Sequence, residues 1–553
     1  MPFSPAVEMP FLSTLFISVL LTIAMIPVLT MLAGRLRMLD EPDKRKVHAA
    51  PIPRCGGIAM AIGAFTPIVY WTSGNPFMVA FLVAASVIVL FGAADDILGL
   101  SPRWKLLGQV IAALVVIYWG GVKVVSLGML LPEGILLPLG VSLPLTVIFI
   151  VGVTNAVNLA DGLDGLAGGI SLLAVCCIGY LAYMAGFAEI ALASLALCGA
   201  IFGFLRFNTY PATIFMGDSG SQLLGFSGVT LSLALTQQVK AFSPLIPLLL
   251  FGLPILDTLT VMTTRIMSRR SPFSPDRSHF HHRLLAIGLF HSEAVLSIYL
   301  IQAFLVLLTI FLRFQSEWLL LSSYLVFSLV VFISFYYINH TGSQQKRCSV
   351  LDQVKTWLKT VKEQRRVPVV SFPCLKALLY GLIILTSLLS MKMDRNFSLS
   401  LVVLGGMILL LVRRFRAELL VRLLRTVFYL IIPFAVYWGD NNTLLFLGRM
   451  GDWFISVTFV LMLLTSIVVS VFSTRTKGIW STPLDFLILL LMLVVPNLPN
   501  ISPHDLRLGL VGFKCIIFII SFEVLVAENR GKVDSLSLVM ALALFAIVMK
   551  SFC

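Results

Sequence analysis

Residues Asn155 to Gly169 read NAVNLADGLDGLAGG, and they follow the apolar run LTVIFIVGVT. Two carboxamides, Asn155 and Asn158, and two carboxylates, Asp161 and Asp164, therefore sit where a membrane helix ends. Polar groups at such a depth are costly unless partnered or wet, which makes them functional candidates. The four fall at steps of three, so neighbouring pairs share a helix face while the whole set drifts around it. Gly162 and Gly165 let the backbone bend there and approach a ligand closely. Capping the next helix would occupy Asp161 or Asp164, not all four residues.

The rest of the chain is the setting for that stretch. Hydrophobic residues make up 59% of the 553, which places the chain among polytopic membrane proteins. The net charge of +14 comes from basic residues in short loops between apolar runs. That is the footprint of membrane orientation and of anionic lipid or phosphate ligands, and it argues against nucleic acid. The eight cysteines are scattered with no CxxC pair, so neither disulfides nor a zinc site are expected. The first basic residue, Arg35, follows the first apolar run, so Phe11–Ala33 reads as an uncleaved span rather than a signal peptide.

Hydropathy predicts an all-α polytopic membrane protein of about 18 spans. About eleven lie between residues 11 and 338, and about seven between residues 374 and 551. A span covering 244–266 is the ninth, and residues 121–143 alternate enough for a small outer hairpin. Residues 341–373 turn polar and basic, with Leu351, Val354, Leu358 and Val361 near helical spacing, as in an amphipathic helix lying on the membrane. The domains are thus a core at 1–340, a basic linker at 341–373 and a further membrane module at 374–553. With Arg35 to Arg54 cytoplasmic, alternation puts roughly 31 of the 40 Lys and Arg inside and the N-terminus outside.

Every polar motif then falls on the cytoplasmic side. The first inner loop, LDEPDKRKVHAAPIPRCGG, carries Lys44, Arg45, Lys46, His48 and Arg54 on a proline-stiffened backbone suited to a phosphate. Asp95 and Asp96 in FGAADDILGLSPRWK repel each other unless a metal, a donor, or Arg103 and Lys105 compensates them. In RFNTYPATIFMGDSGSQLLG, Asp218 opens a helix whose free N–H groups can meet phosphate, and its carboxylate offers a hard oxygen to Mg²⁺. Phe215 either stacks on a flat base or packs. The segment RRSPFSPDRSHFHHRLLAIGL crowds His279, His281, His282, Arg277 and Arg283, and its arginines point to an anionic ligand rather than zinc.

Together, NAVNLADGLDGLAGG, the DD pair, FMGDSGS and PDRSHFHHRL, in this order, resemble the polyprenyl-phosphate N-acetylhexosamine-1-phosphate transferases. The likeness covers about residues 1–340 and is closer to the WecA-type branch than to the MraY-type branch; residues 374–553 depart from the family pattern. It implies transfer of a sugar 1-phosphate, GlcNAc-1-phosphate in the first instance, from a UDP-N-acetylhexosamine to undecaprenyl phosphate, releasing UMP and starting a cell-surface glycan. By motif position, Asp218 and Asn158 resemble the ligands of Mg²⁺, with Mn²⁺ as the alternative ion. Asp95, with Asp96 beside it, resembles the aspartate that meets the lipid phosphate, and Lys105 matches a lysine near that phosphate. Asp161, Asp164, Asn208 and Phe215 match nucleotide-site positions. His279, His281 and His282 match the loop that meets the sugar diphosphate, where Arg54 and Arg283 are also assigned. Lys44, Arg45, Lys46 and His48 are assigned to the lipid phosphate.

The implied partners are a UDP-N-acetylhexosamine, polyprenyl phosphate and the bilayer of the bacterial inner membrane, with a homodimer as an assembly to test. Phosphoryl transfer needs positioning and charge more than covalent chemistry, which fits this inventory. A lipid flippase or secondary transporter is the rival reading. It predicts polar groups on both membrane sides and inverted repeats, whereas these crowd at inner helix ends and no repeat is visible.

Overall fold

The computed structural model describes residues 5–41, 51–132, 135–271, 279–340, 368–389, 436, 453–469, 503–528 and five positions between 535 and 542. The chain divides into two compact units, Met1–Lys346 and Arg347–Cys553.

The first unit is helical. In order it runs α1 (Pro5–Ala33), α2 (Gly56–Thr72), α3 (Pro76–Leu98), α4 (Pro102–Tyr118), α5 (Leu139–Leu159), α6 (Leu166–Met184) and α7 (Ala188–Asn208). It continues with α8 (Gly217–Gln238), α9 (Ile246–Leu250), α10 (Gly252–Met267), α11 (Phe280–Ala286), α12 (His291–Leu312) and α13 (Glu317–His340). Seven helices among the described residues, six of them α3, α5, α6, α7, α12 and the bulk of α1, are long and apolar enough to cross a membrane; Glu317–Phe335 in α13 is the seventh. The fold is thus the all-α polytopic one expected.

Sequence signals set the ends that matter. The Asn75 side chain accepts the Met78 N–H at 3.2 Å and Pro76 opens the first turn of α3. Gly99, at φ +65°, closes that helix, which leaves Asp95 and Asp96 in its last turn.

The expected ninth span, 244–266, is broken at Phe251 into α9 and α10. Pro254 has no N–H to give to the Leu250 carbonyl four residues back. The Gln302 side chain of α12 donates to that carbonyl instead, at 2.8 Å, and the Tyr324 hydroxyl of α13 donates to Gly252 O at 2.9 Å. Neighbouring helices thus satisfy the backbone that the break releases, as a bilayer requires.

One expectation about strands is corrected. Residues 121–143 form no hairpin ladder among the described residues; they hold a short 3-10 turn at Gly128–Leu130, and α5 begins at Leu139. Leu137 N–H donates to Val125 O at 2.9 Å, and several other backbone groups meet side chains. Val124 N–H donates to Thr146 Oγ1 at 2.9 Å, Ser142 Oγ donates to Val124 O at 2.8 Å, and Met129 N–H donates to Glu317 Oε2 at 2.9 Å. Among the described residues the one strand pair lies in the first basic loop, where β1 (Leu39–Asp40) runs antiparallel to β2 (Ile52–Pro53).

Helix α8 is the centre of this unit. Every residue from Ser219 to Leu235 is buried, although the helix carries serines, threonines and glutamines. Glycines let its backbone touch its neighbours. Gly57 of α2 lies against the Gly220 backbone, Gly92 of α3 against Ser219, and Gly225 against Thr154 of α5. Close approach of this kind replaces the hydrophobic drive that lipid cannot supply.

In the second unit the described helices are Pro368–Leu389, Trp453–Val469 and Pro503–Glu528. The first begins inside the stretch read as linker. Phe459 and Phe518 stack edge to face at 5.5 Å, and the Ser466 and Ser521 hydroxyls are 2.8 Å apart. The expected amphipathic helix and most of the expected seven further spans fall outside the described residues.

A Cβ at Gly57 would overlap the Gly220 backbone, which cannot rotate away. Gly57→Ala should therefore cost about 1–3 kcal/mol and lower the melting temperature in detergent. Gly74→Ala, where no atom lies within 4 Å of the added carbon, should leave it unchanged.

Candidate active site

Three helix ends meet first. Asp95 and Asp96 close α3, Lys105 lies in the first turn of α4, and Asp218 lies in the first turn of α8. The Lys105 ammonium sits 2.5 Å from Asp95 Oδ2 and 2.6 Å from Asp218 Oδ2, so two carboxylates share one cation. Asp96 faces the other way. Its Oδ1 accepts the Asp218 N–H at 2.9 Å and its Oδ2 accepts the Ser219 N–H at 3.1 Å. It thus satisfies two orphan donors of α8 and complements the positive end of that helix. Asp218 is not the cap of α8, because the helix already begins at Gly217 and Met216 holds the cap position.

Helix α5 ends at Leu159, so Asn155 and Asn158 project from its last turns and Asp161 and Asp164 from the loop beyond. Asn155 belongs to a buried amide chain. Its Nδ2 donates to Gln109 Oε1 at 2.7 Å, Gln109 Nε2 donates to Gln222 Oε1 at 3.0 Å, and Gln222 Nε2 reaches Asp218 Oδ2 at 3.4 Å. Asn158 Oδ1 accepts from the Ser221 hydroxyl at 2.7 Å, one turn along α8 from Asp218.

The loop after Asn158 is pinned at its far end. Gly165, at φ +80°, is the residue before α6, and its N–H donates to Asn208 Oδ1 at 2.9 Å. Asn208 also donates to Ile214 O at 2.9 Å and is only 3% exposed. Both ends of this carboxamide are therefore committed to backbone, and it shapes the loop rather than opening toward solvent. Asp164 does similar work, since its Oδ2 accepts the Ala212 N–H at 2.9 Å. Phe215 is half-buried, and its N–H and carbonyl tie the α7–α8 connection to Pro53 and Gly56.

Asp161 is different. Burial, and then the carboxylates of Asp218, Asp164 and Asp96, push its carboxyl up to about 7. Negative charge is thus in excess around one loop.

The histidines come together on α11. His279 Nδ1 lies 2.9 Å from Asp257 Oδ2, and the His279 and His281 rings stack at 5.8 Å and 6°. His281 is buried with its Nε2 edge against Gly162, between Asp161 and Asp164. Burial, and then the neighbouring rings of His282, His279 and His291, push His281 down to about 3, so it is neutral at pH 7. His282 is half-buried with its ring 4.2 Å from that of His281, and the Arg283 guanidinium lies 5.8 Å from the Phe335 ring.

Of the first loop, Arg54 pairs with Asp40 across the β1–β2 ladder, near enough for its charge to act on Asp218. Lys44, Arg45, Lys46 and His48 lie outside the described residues.

Among the described residues no three His, Cys, Asp or Glu side chains converge as a metal cage. The excess carboxylate charge does fit an ion that takes few protein oxygens and keeps waters and substrate phosphates, as Mg²⁺ does. Asp218 and Asn158, the latter bonded to Ser221 one turn along α8, would be the protein donors to such an ion.

Sequence reasoning passed over Asp257, Gln109, Gln222 and His291, whose Nε2 accepts the Asp164 N–H at 3.2 Å. A signal existed for Asp257, an acid inside the apolar run FGLPILDTLTV.

The comparisons with known proteins fall on the same part of the chain. The profile of glycosyl transferase family 4 matches residues 78–236, from the start of α3 nearly to the end of α8. A probable undecaprenyl-phosphate N-acetylglucosaminyl 1-phosphate transferase of Bacillus subtilis is 39% identical over 323 residues, covering 58% of this chain and 89% of the relative. The chain belongs to glycosyl transferase family 4. An undecaprenyl-phosphate alpha-N-acetylglucosaminyl 1-phosphate transferase of Salmonella typhimurium is 30% identical over 341 residues, 60% of this chain and 91% of its own length. A decaprenyl-phosphate N-acetylglucosaminephosphotransferase of Mycobacterium tuberculosis is 38% identical over 306 residues, 49% of this chain and 74% of its own. The family match takes in Asp95, Asp96, Lys105, Asn158, Asp161, Asp164, Asn208 and Asp218, whereas the histidine segment lies beyond it.

Asp161 gives a pH test. Because its folded value lies above the ordinary 3.8, its protonated form favours the fold below about pH 4, and that contribution is lost as pH rises through about 7. Asp161→Asn should therefore raise the melting temperature of ligand-free, metal-free protein at pH 8, and the gain should vanish toward pH 4. For Asp96, Asp96→Ala should lower thermal stability by about 1–2 kcal/mol, the worth of a helix N-terminal partner. Asp96→Asn, which keeps one acceptor, should recover part of that loss.

Proposed function

We propose that the chain transfers GlcNAc-1-phosphate from UDP-GlcNAc to undecaprenyl phosphate at the cytoplasmic face of the membrane, releasing UMP. The observation that carries the reading is the Lys105 ammonium held between Asp95 and Asp218 where α3, α4 and α8 meet, inside the region shared with the family. The names of the relatives above support the sugar and the polyprenyl acceptor.

The acceptor is already an anion at neutral pH, so the reaction asks for orientation and charge rather than strong base catalysis. A phosphate oxygen of the lipid attacks the β-phosphorus of the UDP-sugar. The new P–O bond forms as the bond to the UMP oxygen breaks, and UMP leaves as an anion. Lys105 meets the lipid phosphate. Asp95, already paired with that ammonium, orients it and is poorly disposed to attack on its own account. Asp218 and Asn158 would hold Mg²⁺, whose charge screens the diphosphate and the leaving UMP. Asp161 and Asp164 frame the nucleotide side, with Phe215 as the flat surface for the base. His279, His281, His282, Arg283 and Arg54 form the wall toward the sugar diphosphate. Lys44, Arg45, Lys46 and His48 of the first basic loop are the further cations proposed for the lipid phosphate.

The test is UMP release by the full-length protein in detergent from UDP-GlcNAc, polyprenyl phosphate and Mg²⁺. Asp218→Ala and Lys105→Ala should each lower kcat by about 10²-fold or more, the usual loss when a group facing developing charge is removed. Wild-type protein that makes no UMP would end the reading, and near-normal activity in Asp218→Ala would end the metal assignment. UDP-GalNAc and UDP-glucose in the same assay test the choice of hexosamine.

A further inference from the structure

Asp257 lies on α10 ten residues before that helix ends, about 15 Å along its axis, and is only 6% exposed. A carboxylate held so far inside an apolar bundle is costly unless its oxygens are engaged. Both are engaged by the histidine segment. Oδ1 accepts the Phe280 N–H at 2.8 Å, and Oδ2 lies 2.9 Å from His279 Nδ1.

A carboxylate oxygen accepts, so in this contact His279 Nδ1 is the donor, and the bond selects which ring nitrogen holds its hydrogen. The contact runs on from there. The His279 ring stacks on His281 at 5.8 Å, and His281 Nε2 abuts Gly162, where a Cβ would overlap the ring. Gly162 stands between Asp161 and Asp164. His279 is 6% exposed and His281 3%, so both rings between α10 and the aspartate loop are buried.

We propose that Asp257 is a positioning residue of this site, fixing the tautomer and orientation of His279 and, through the stacked pair, seating the histidine segment against the Asp161–Asp164 loop. The proposal rests on the functional reading above. It adds a residue that acts through another and touches no substrate.

Asp257→Asn separates the two bonds. The amide keeps an oxygen for the Phe280 N–H but can no longer accept from both donors. In the full-length protein it should lower kcat for UMP release about tenfold to a hundredfold, the loss typical when the partner behind a working imidazole is removed. His279→Ala and the double variant complete a cycle. If Asp257 acts through His279, the double variant is no slower than His279→Ala alone. If Asp257 only supports the fold, the two losses multiply, and the proposal falls.

A second measurement does not depend on turnover. In protein labelled with ¹⁵N-histidine, the ring signal missing from His279→Ala should report Nδ1–H in the wild type and Nε2–H in Asp257→Asn. Nε2–H in the wild type overturns the proposal even if UMP is produced. Nδ1–H in a wild type that produces no UMP upholds the placement of His279, while the functional reading fails separately.

Discussion

The N-terminus of α8 is fixed by a carboxylate that belongs to another helix. Asp96 accepts the N–H groups of both Asp218 and Ser219, and Gly92, one turn earlier on α3, lets the two backbones touch. The bond is charge-assisted and lies at the positive end of a helix, so direction and strength agree. Because Asp96 holds the backbone, its neighbour Asp95 can face Lys105, and the Asp218 side chain can face the same ammonium. Two adjacent acids that would repel in isolation are thereby given different tasks.

The polarity of α8 follows from its position. A helix rich in serine, threonine, glutamine and glycine would be a poor membrane span if lipid surrounded it. Here other helices surround it, and its glycines exchange side-chain volume for close backbone contact. The amide chain from Asn155 through Gln109 and Gln222 to Asp218 belongs to the same design. Each amide satisfies a neighbour, and the chain ends on the carboxylate whose place it secures. A partly satisfied network at this depth would destabilise the bundle, so Gln109 and Gln222 matter for the site without facing it.

The aspartate loop and the histidine segment are held by the opposite device, contacts from outside their own helices. Asn208 and Tyr299 fix the two polar groups of the Gly165 backbone, the latter by a hydroxyl bond of 2.6 Å to its carbonyl. Asp257 ties α11 to the broken helix pair α9–α10. The break at Phe251 is tolerated because Gln302 serves the Leu250 carbonyl that Pro254 cannot and Tyr324 bonds Gly252 O beside it. Rigid neighbours thus hold two irregular segments in place, so the loop between Asn158 and Gly165 needs no regular structure of its own.

Hydrophobic runs alone determined that the chain is a helical membrane protein, because spans of that length have no other way to satisfy their backbone. The spacing of NAVNLADGLDG, the DD pair and GDSGS marked the chemistry, since acids and amides at helix ends in such a chain need a reason. Residue identity could not say which acid faces which partner. Asp95 and Asp96 are indistinguishable as letters, and only the approach of α8 makes one a bracket for a helix and the other a partner of Lys105. Asn208 looked like a ligand contact, and packing turned both of its ends toward backbone. Asp257 stood in an apolar run with no motif around it, because its partner lies 22 residues away on another helix. Local pattern is written in the sequence through periodicity and polarity. Pairing across helices depends on which side chains meet when the bundle closes, and that is decided by the tertiary structure.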